Sequence, residues 1–303
     1  KTPFQILDKR LSNTFPELTN ICDIRDKQQL MRIETNVDVI INLAAEHRDN
    51  VRPLSLYHEV NVLGARHVCD FAESKGINKI IFTSSVAVYG FAERGTDENG
   101  PIAPFNDYGR TKHEAELIYR KWQAEDPKNR TLVIVRPTVV FGEQNRGNVY
   151  NLLRQIISGR FVMIGSGANR KSMAYVENVA AFLEFSNSIK NGLHIYNYVD
   201  KPDFDMNSLV IKIKHELGMN PKVGIAIPYW LGMLAGYGLD LVAIIFRANL
   251  PISSIRIQKF CKDSIYNSAL DSTGFVPPVS LEDAINRTIQ YEFIKKEHGE
   301  VFF

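Results

Sequence analysis

The sequence predicts an α/β protein built on a doubly wound parallel sheet. Two observations lead there. Short β-rich runs alternate with helical patterns through the first half of the chain, and one of those runs, Asp38 to Leu43, is almost wholly apolar, as suits a parallel strand buried on both faces. Phe4 to Leu7 reads as the first strand, ending at Asp8. A helical pattern over Leu54 to Lys75 closes at Gly76, and Lys79 to Thr83 is the next strand. Tyr108 to Gln123 spaces its apolar and charged residues as a helix does, and Leu132 to Arg136 is a further strand, stopped by Pro137.

After about residue 142 the character of the chain changes, which divides it into regions 1–142 and 143–303. Asn148 to Ser158 reads as a helix, and mixed strands, helices and Pro-containing loops follow through Ile252. A last helix runs near Leu281 to Lys296, with Ser280 as N-cap and Glu282 and Asp283 in its first turn. Some segments of this second region are expected to return to the sheet.

Composition narrows the class. With 45% hydrophobic and 23% charged residues, the 303-residue chain can bury a full core. A net charge of +2 implies no general polyanion-binding surface, so no nucleic-acid partner is expected. Cys22, Cys69 and Cys261 are too few and too scattered for a disulfide framework or a zinc site, and read as buried thiols of a cytoplasmic protein. No metal is expected. Ala226 to Phe246 is largely apolar, but Pro228, Gly232, Gly236, Gly238 and Asp240 interrupt it. It reads as a buried or surface-docked helical segment rather than a membrane anchor.

The residues with chemical potential lie in two places. Tyr108-Gly-Arg-Thr-Lys112 puts a phenol and an ammonium on one helix face, one turn apart. A nearby ammonium favours phenolate and lowers the tyrosine pKa, which suits acid–base work; by itself the spacing fits an exposed helix face better. Thr83 to Gly90 follows a strand directly and sets Ser85 where open α/β sheets bind their ligands, although a lone serine there is as readily a turn residue or a cap.

Taken together and in order, these segments resemble the extended short-chain dehydrogenase/reductase family, in its NAD-dependent nucleotide-sugar epimerase/dehydratase branch. Asn42-Leu43-Ala44-Ala45 resembles the family's apolar-Ala-Ala turn, and Asn61 to Gly64 its Asn-x-x-Gly helix motif. Thr83 to Gly90 is similar to its Ser-Ser-x-x-Val-Tyr-Gly segment, and Val135 to Gly142 to its Arg-Pro-x-x-x-x-Gly loop. The matches run from Asp8 to about Phe275. The resemblance implies a Rossmann-like fold, with an NAD-binding domain over 1–142 and a mainly nucleotide-sugar-binding region over 143–303. The Gly-rich turn that opens such a sheet is missing. Its usual distance from the acid that Asp8 resembles predicts about 20–30 further residues before the first strand.

By the same resemblance, Ser85, Tyr108 and Lys112 form the catalytic set. Tyr108 deprotonates a sugar 4-hydroxyl, and hydride passes to NAD through a 4-keto intermediate. Cofactor contacts fall to Asp8, Asp23, Ile24, Leu43, Ala44, Ala45, Asn61 and Pro137, with Tyr108 and Lys112. Asp8 favours NAD by binding the ribose hydroxyls and repelling a 2′-phosphate, while Lys9 and Arg10 leave NADP open. Substrate contacts fall to Ser85, Val86, Asn148, Lys171 (or Arg170) and Arg256. Val139 stands where relatives often carry Asn, and His47 where a relative carries Lys. Val86-Ala87 replace the Asp-Glu pair of dehydratases, which leaves an epimerase acting at C4. An NADPH-dependent 4-ketoreductase and a non-catalytic cofactor-binding protein are the rival readings. A homodimer through the helices near 55–75 and 108–124 and a setting in polysaccharide synthesis are further implications.

Overall fold

A computed structural model describes residues 3–48, 51–246 and 253–295 of the chain. Its centre is a four-stranded parallel sheet made of β3 (Val39–Asn42), β4 (Lys79–Thr83), β5 (Thr131–Pro137) and β9 (Gly192–Tyr198), in the order β3-β4-β5-β9. β1 (Ile6–Asp8) and β2 (Thr19–Ile21) form a separate parallel pair. Strand alternation feeds two cores. Ile80, Phe82, Leu132 and Ile134 pack with α1 (Lys27–Met31), α3 (Gly64–Lys75) and α4 (Asp107–Glu125). Ile81, Val133 and Val135 pack on the other face with Val179, Phe182 and Leu183 of α6 (Val176–Phe185). Apolar side chains on both faces are what make the central strands β-rich runs without polar alternation.

β3 departs from the expectation for Asp38 to Leu43. Among the described residues it is the terminal strand of the four-stranded sheet, with Ile41 and Leu43 exposed. The expected helix over Leu54 to Lys75 is compound: α2 (Ser55–Tyr57), a π-helical stretch His58–Leu63, then α3, closed by Gly76 at φ 67°. Gly64 lets α3 lie against Ile24, since a Cβ there would stand 3.1 Å from the Ile24 side chain.

β9, from the second region, returns to the sheet beside β5. Around it, β6 (Val139–Phe141), β8 (Arg170–Tyr175) and β10 (Asp200–Asp205) form a mixed three-stranded sheet. β7 (Met163–Ile164) pairs with β11 (Ala226–Ile227). α5 (Asn148–Ile157), α7 (Met206–Glu216) and α10 (Leu281–Ile289) enclose a third core with Phe141, Met173 and Tyr175. Ser280 caps α10 by accepting from the Asp283 N–H at 3.1 Å; a π-helical turn, Gln290–Ile294, follows, and Lys296 lies outside the described residues. α8 (Tyr229–Phe246) and α9 (Ser254–Cys261) pack on each other at one side. Cys22 and Cys69 are buried and Cys261 partly so, all three free thiols. No helix among the described residues is long and apolar enough to cross a membrane, and no group of metal-binding side chains is assembled among them.

Candidate active site

Three elements meet at the carboxyl end of β4. Ser85 caps a 3-10 turn, Val86–Tyr89, through its Oγ, which accepts from the Ala87 N–H at 3.1 Å. α4 starts at the Asn106 cap, whose side chain accepts from the Gly109 N–H at 2.9 Å. Gly109 then permits close approach: a Cβ there would stand 2.4 Å from the Ala87 carbonyl oxygen. The first turn of α4 can therefore sit directly on the Ser85 turn, which brings the Tyr108 phenol to the Ser85 hydroxyl. Val86 is half-buried in the same turn.

Burial raises the Tyr108 pKa above its ordinary value, and the Ser85 hydroxyl pulls it back down. The Lys112 ammonium one turn away is itself disfavoured by burial. Lys112 is 2% exposed, and burial lowers it to about 7, opposed by the charge of Glu116. Its Nζ lies 4.4 Å from the centroid of the Phe82 ring and has no hydrogen-bond acceptor among the described residues.

Beneath Lys112 lies a buried ion pair that sequence reasoning missed. Glu116 accepts from Arg136 Nη2 at 2.6 Å, from Arg136 Nε at 2.9 Å and from the Ser84 hydroxyl at 2.6 Å. Arg136 also donates to the Tyr89 hydroxyl at 2.6 Å, which in turn donates to Asn197 at 2.8 Å. Burial would lift the Glu116 carboxyl, but the hydrogen bonds from Arg136 and Ser84, with His113 nearby, hold it at about 2. Its signal was available: Glu116 is one further helical turn from Lys112, and Arg136 ends an otherwise apolar strand.

Asn61 ties this site to β3. It accepts from the Glu46 N–H at 2.8 Å and donates to the Glu46 carbonyl at 3.1 Å and to Thr111 Oγ1 at 2.9 Å. The turn Leu43-Ala44-Ala45 is thereby clamped to the first turn of α4, with Leu43 and Ala44 exposed past the end of β3. Asn42 accepts from the Ala44 N–H at 3.1 Å and donates to the Tyr119 hydroxyl at 2.7 Å.

The remaining predicted residues are more dispersed. Asp8 is exposed at the end of β1 and accepts from the Arg10 N–H at 2.9 Å. Asp23 is paired with Arg25 at 2.7 Å, which holds its carboxyl below the usual range, and Ile24 packs against Gly64. Pro137 ends β5, and Val139 on β6 pairs with Met173. Asn148 is exposed at the first turn of α5. Lys171 is committed to structure: its Nζ donates to the Lys259 carbonyl at 2.7 Å and the Lys262 carbonyl at 2.5 Å, closing the end of α9, and burial lowers it to about 8. Arg256 lies exposed on α9.

A parallel sheet covered on both faces, with a hydroxyl, a phenol and a buried ammonium at the carboxyl end of one strand, defines a dinucleotide-dependent oxidoreductive enzyme class. The model of the NAD dependent epimerase/dehydratase family matches residues 6–197, and the chain belongs to that family. It is 47% identical, over 98% of this chain and 90% of the relative, to N-acetyl-alpha-D-glucosaminyl-diphospho-ditrans,octacis-undecaprenol 4-epimerase of Escherichia coli O157:H7. UDP-glucose 4-epimerase of Thermotoga maritima, solved with UDP-glucose, matches with a TM-score of 0.71 at 19% identity, covering 92% of this chain and 85% of that one. UDP-glucuronic acid 4-epimerase of Bacillus cereus, solved with NAD, matches at 0.67 and 18%, covering 92% and 80%. At these identities the two structures show the shared fold.

The cofactor is accordingly NAD. The residues present fit it. Lys112 is a buried ammonium lacking an acceptor, which a ribose hydroxyl would supply, and Asp8 is an exposed carboxylate at a strand end.

Proposed function

We propose that the protein is a 4-epimerase acting on a sugar joined to a diphosphate, and that the sugar is an N-acetylhexosamine carried on undecaprenyl diphosphate. The reaction type rests on one observation, the Tyr108 phenol set on the Ser85 turn one helical turn from buried Lys112. The substrate rests on 47% identity across nearly the whole chain to an enzyme of that specificity.

Tyr108 takes the proton of the sugar 4-hydroxyl, and Ser85 holds that oxygen in line through its own hydroxyl. Lys112 positions the ribose and, when protonated, favours the phenolate; Glu116, positioned by Arg136 and Ser84, favours that protonated form. NAD, when bound, would supply reversible hydride acceptance at C4, so that a 4-ketone could be reduced again from its other face. Tyr108 then returns the proton.

A UDP-sugar is the second reading, favoured by the fold shared with an enzyme solved with UDP-glucose. Residues 1–142 would carry the cofactor and 143–303 most of the substrate contacts, with Asn148 and Arg256 as candidates for the diphosphate. Half-exposed Leu117 on α4 suits a homodimer through that helix.

The test supplies purified protein with NAD and either undecaprenyl-diphospho-N-acetylglucosamine or UDP-N-acetylglucosamine, and separates the 4-epimers. Conversion of the lipid-linked sugar without added reductant is expected. Stoichiometric consumption of NADPH would overturn the epimerase reading, and conversion of the UDP-sugar alone would overturn the lipid-linked substrate.

A further inference from the structure

α8 is packed with its small side inward. Gly232 and Gly236 are buried; a Cβ on Gly232 would stand 2.5 Å from the Ile164 side chain, and one on Gly236 2.9 Å from the Ser254 Cα. Asp240 continues that inner line and accepts from the Ser254 N–H at 3.2 Å, at the start of α9. The helix thus spends its small and polar residues on packing. Its large apolar residues face the other way: Trp230, Leu234, Tyr237, Leu241 and Ile245 follow one another at helical spacing and are between 58% and 67% exposed. A continuous stripe of this kind marks a docking surface rather than scattered surface hydrophobicity.

Charge selects the occupant. From Lys222 to Lys262 the sequence carries five cations, Lys222, Arg247, Arg256, Lys259 and Lys262, against one acid, Asp240, and that acid is turned inward. An apolar helix face with aromatic residues in a segment of net positive charge matches the interface of an anionic bilayer. With Gly232, Gly236 and Asp240 packed inward and the apolar stripe outward, α8 would lie in the plane of the surface. Its first residue, Tyr229, lines a cleft with Ser166, Asn169, Gln258 and Lys262, so the surface-bound helix adjoins an opening into the second region.

We propose that α8 docks the enzyme on the headgroup layer of an anionic membrane, with the apolar stripe inserted and the net positive charge of the segment drawing it to phospholipid phosphates. The helix pattern and the charge carry the docking. That its purpose is access to a substrate whose lipid tail stays in the bilayer rests on the function proposed above.

The chain contains its own reporter. Of its two tryptophans, Trp230 is 67% exposed and Trp122 is buried. The NAD-bound protein is mixed, without substrate, with vesicles of about 70% phosphatidylethanolamine and 30% phosphatidylglycerol, or with phosphatidylcholine alone. Flotation with the anionic vesicles, a blue shift of Trp230 and its quenching by brominated acyl chains are expected. Leu234→Glu/Leu241→Glu should weaken partitioning about tenfold or more while leaving Tm and bound NAD unchanged. Failure of the wild-type protein to float, or unaltered flotation of the variant, overturns the proposal. So does a wild-type dimer that ignores vesicles and falls to monomer in the variant by sedimentation velocity, since the stripe then belongs to a second copy. Flotation without turnover of lipid-linked sugar sinks only the function reading; turnover of detergent-dispersed substrate without flotation sinks only the docking.

Discussion

Helices α4 and α8 are nearly equal in length, 19 and 18 residues, and are assembled in opposite ways. α4 carries two charged residues into the interior, Lys112 and Glu116, and leaves Leu117 half exposed. α8 carries glycines and an aspartate inward and leaves its tryptophan and leucines outside. In α4 the buried charge is tolerated because Arg136 and Ser84 satisfy Glu116, and Glu116 in turn supports Lys112. In α8 the exposed apolar face has no compensation within the described chain. Departures from the expected apolar-in pattern therefore separate into two kinds: one is balanced internally and serves chemistry, and the other awaits an external surface.

Variants can break or sharpen that contrast. The largest effect is expected at Tyr108, where Tyr108→Phe should lower kcat about 10²–10⁴-fold while NAD stays bound; retained turnover in a single-variant assay would remove α4 from the chemistry. Arg136→Met should follow, costing about 3–5 kcal/mol in denaturant unfolding because it strands the Glu116 carboxylate. Replacing both partners, Arg136→Met with Glu116→Leu, should recover much of that loss, and a double variant no more stable than the single one would mean the ion pair is not the unit. Next comes the packing glycine of each helix set against a free one. Gly109→Ala drives a methyl against the Ala87 carbonyl and should cost about 1–3 kcal/mol together with activity. Gly238→Ala on the open side of α8 meets nothing within 4 Å and should gain about 0.5–1 kcal/mol of stability. Equal responses at the two glycines would deny the contrast.

The pH dependence sharpens the contrast further, because the two buried charges of α4 have opposite signs. Glu116 is lowered from 4.5 to about 2, so its stabilisation is full above about pH 4.5 and is lost as pH falls toward 2. Lys112 is lowered from 10.5 to about 7. Between those values the unfolded chain holds the extra proton, so this lysine destabilises most below pH 7 and its penalty fades as pH rises toward 10.5. Lys112→Met should therefore raise Tm at pH 6 by more than at pH 9; a constant difference would mean the ammonium is not desolvated.

Much of the site was legible because it is written locally. Tyr108 and Lys112 are one helical turn apart, Ser85 directly follows a strand, and the turn at Leu43 to Ala45 lies at another strand's end, so each position follows from period and spacing. The parallel strands were legible for the same reason. What remained hidden depends on contacts between distant segments: the Glu116–Arg136 pair spans 20 residues, and Lys171 proved to close α9, 88 residues away.

By itself, the sequence determined the alternation of strands and helices, the residue types at the reacting centre and the family pattern, because these are properties of neighbours along the chain. Only the tertiary structure decided which way α8 faces. Hydropathy would turn its leucines inward, but close approach to Ile164 and Ser254 admits only glycine, and the geometry of contact overrides the average polarity of the segment.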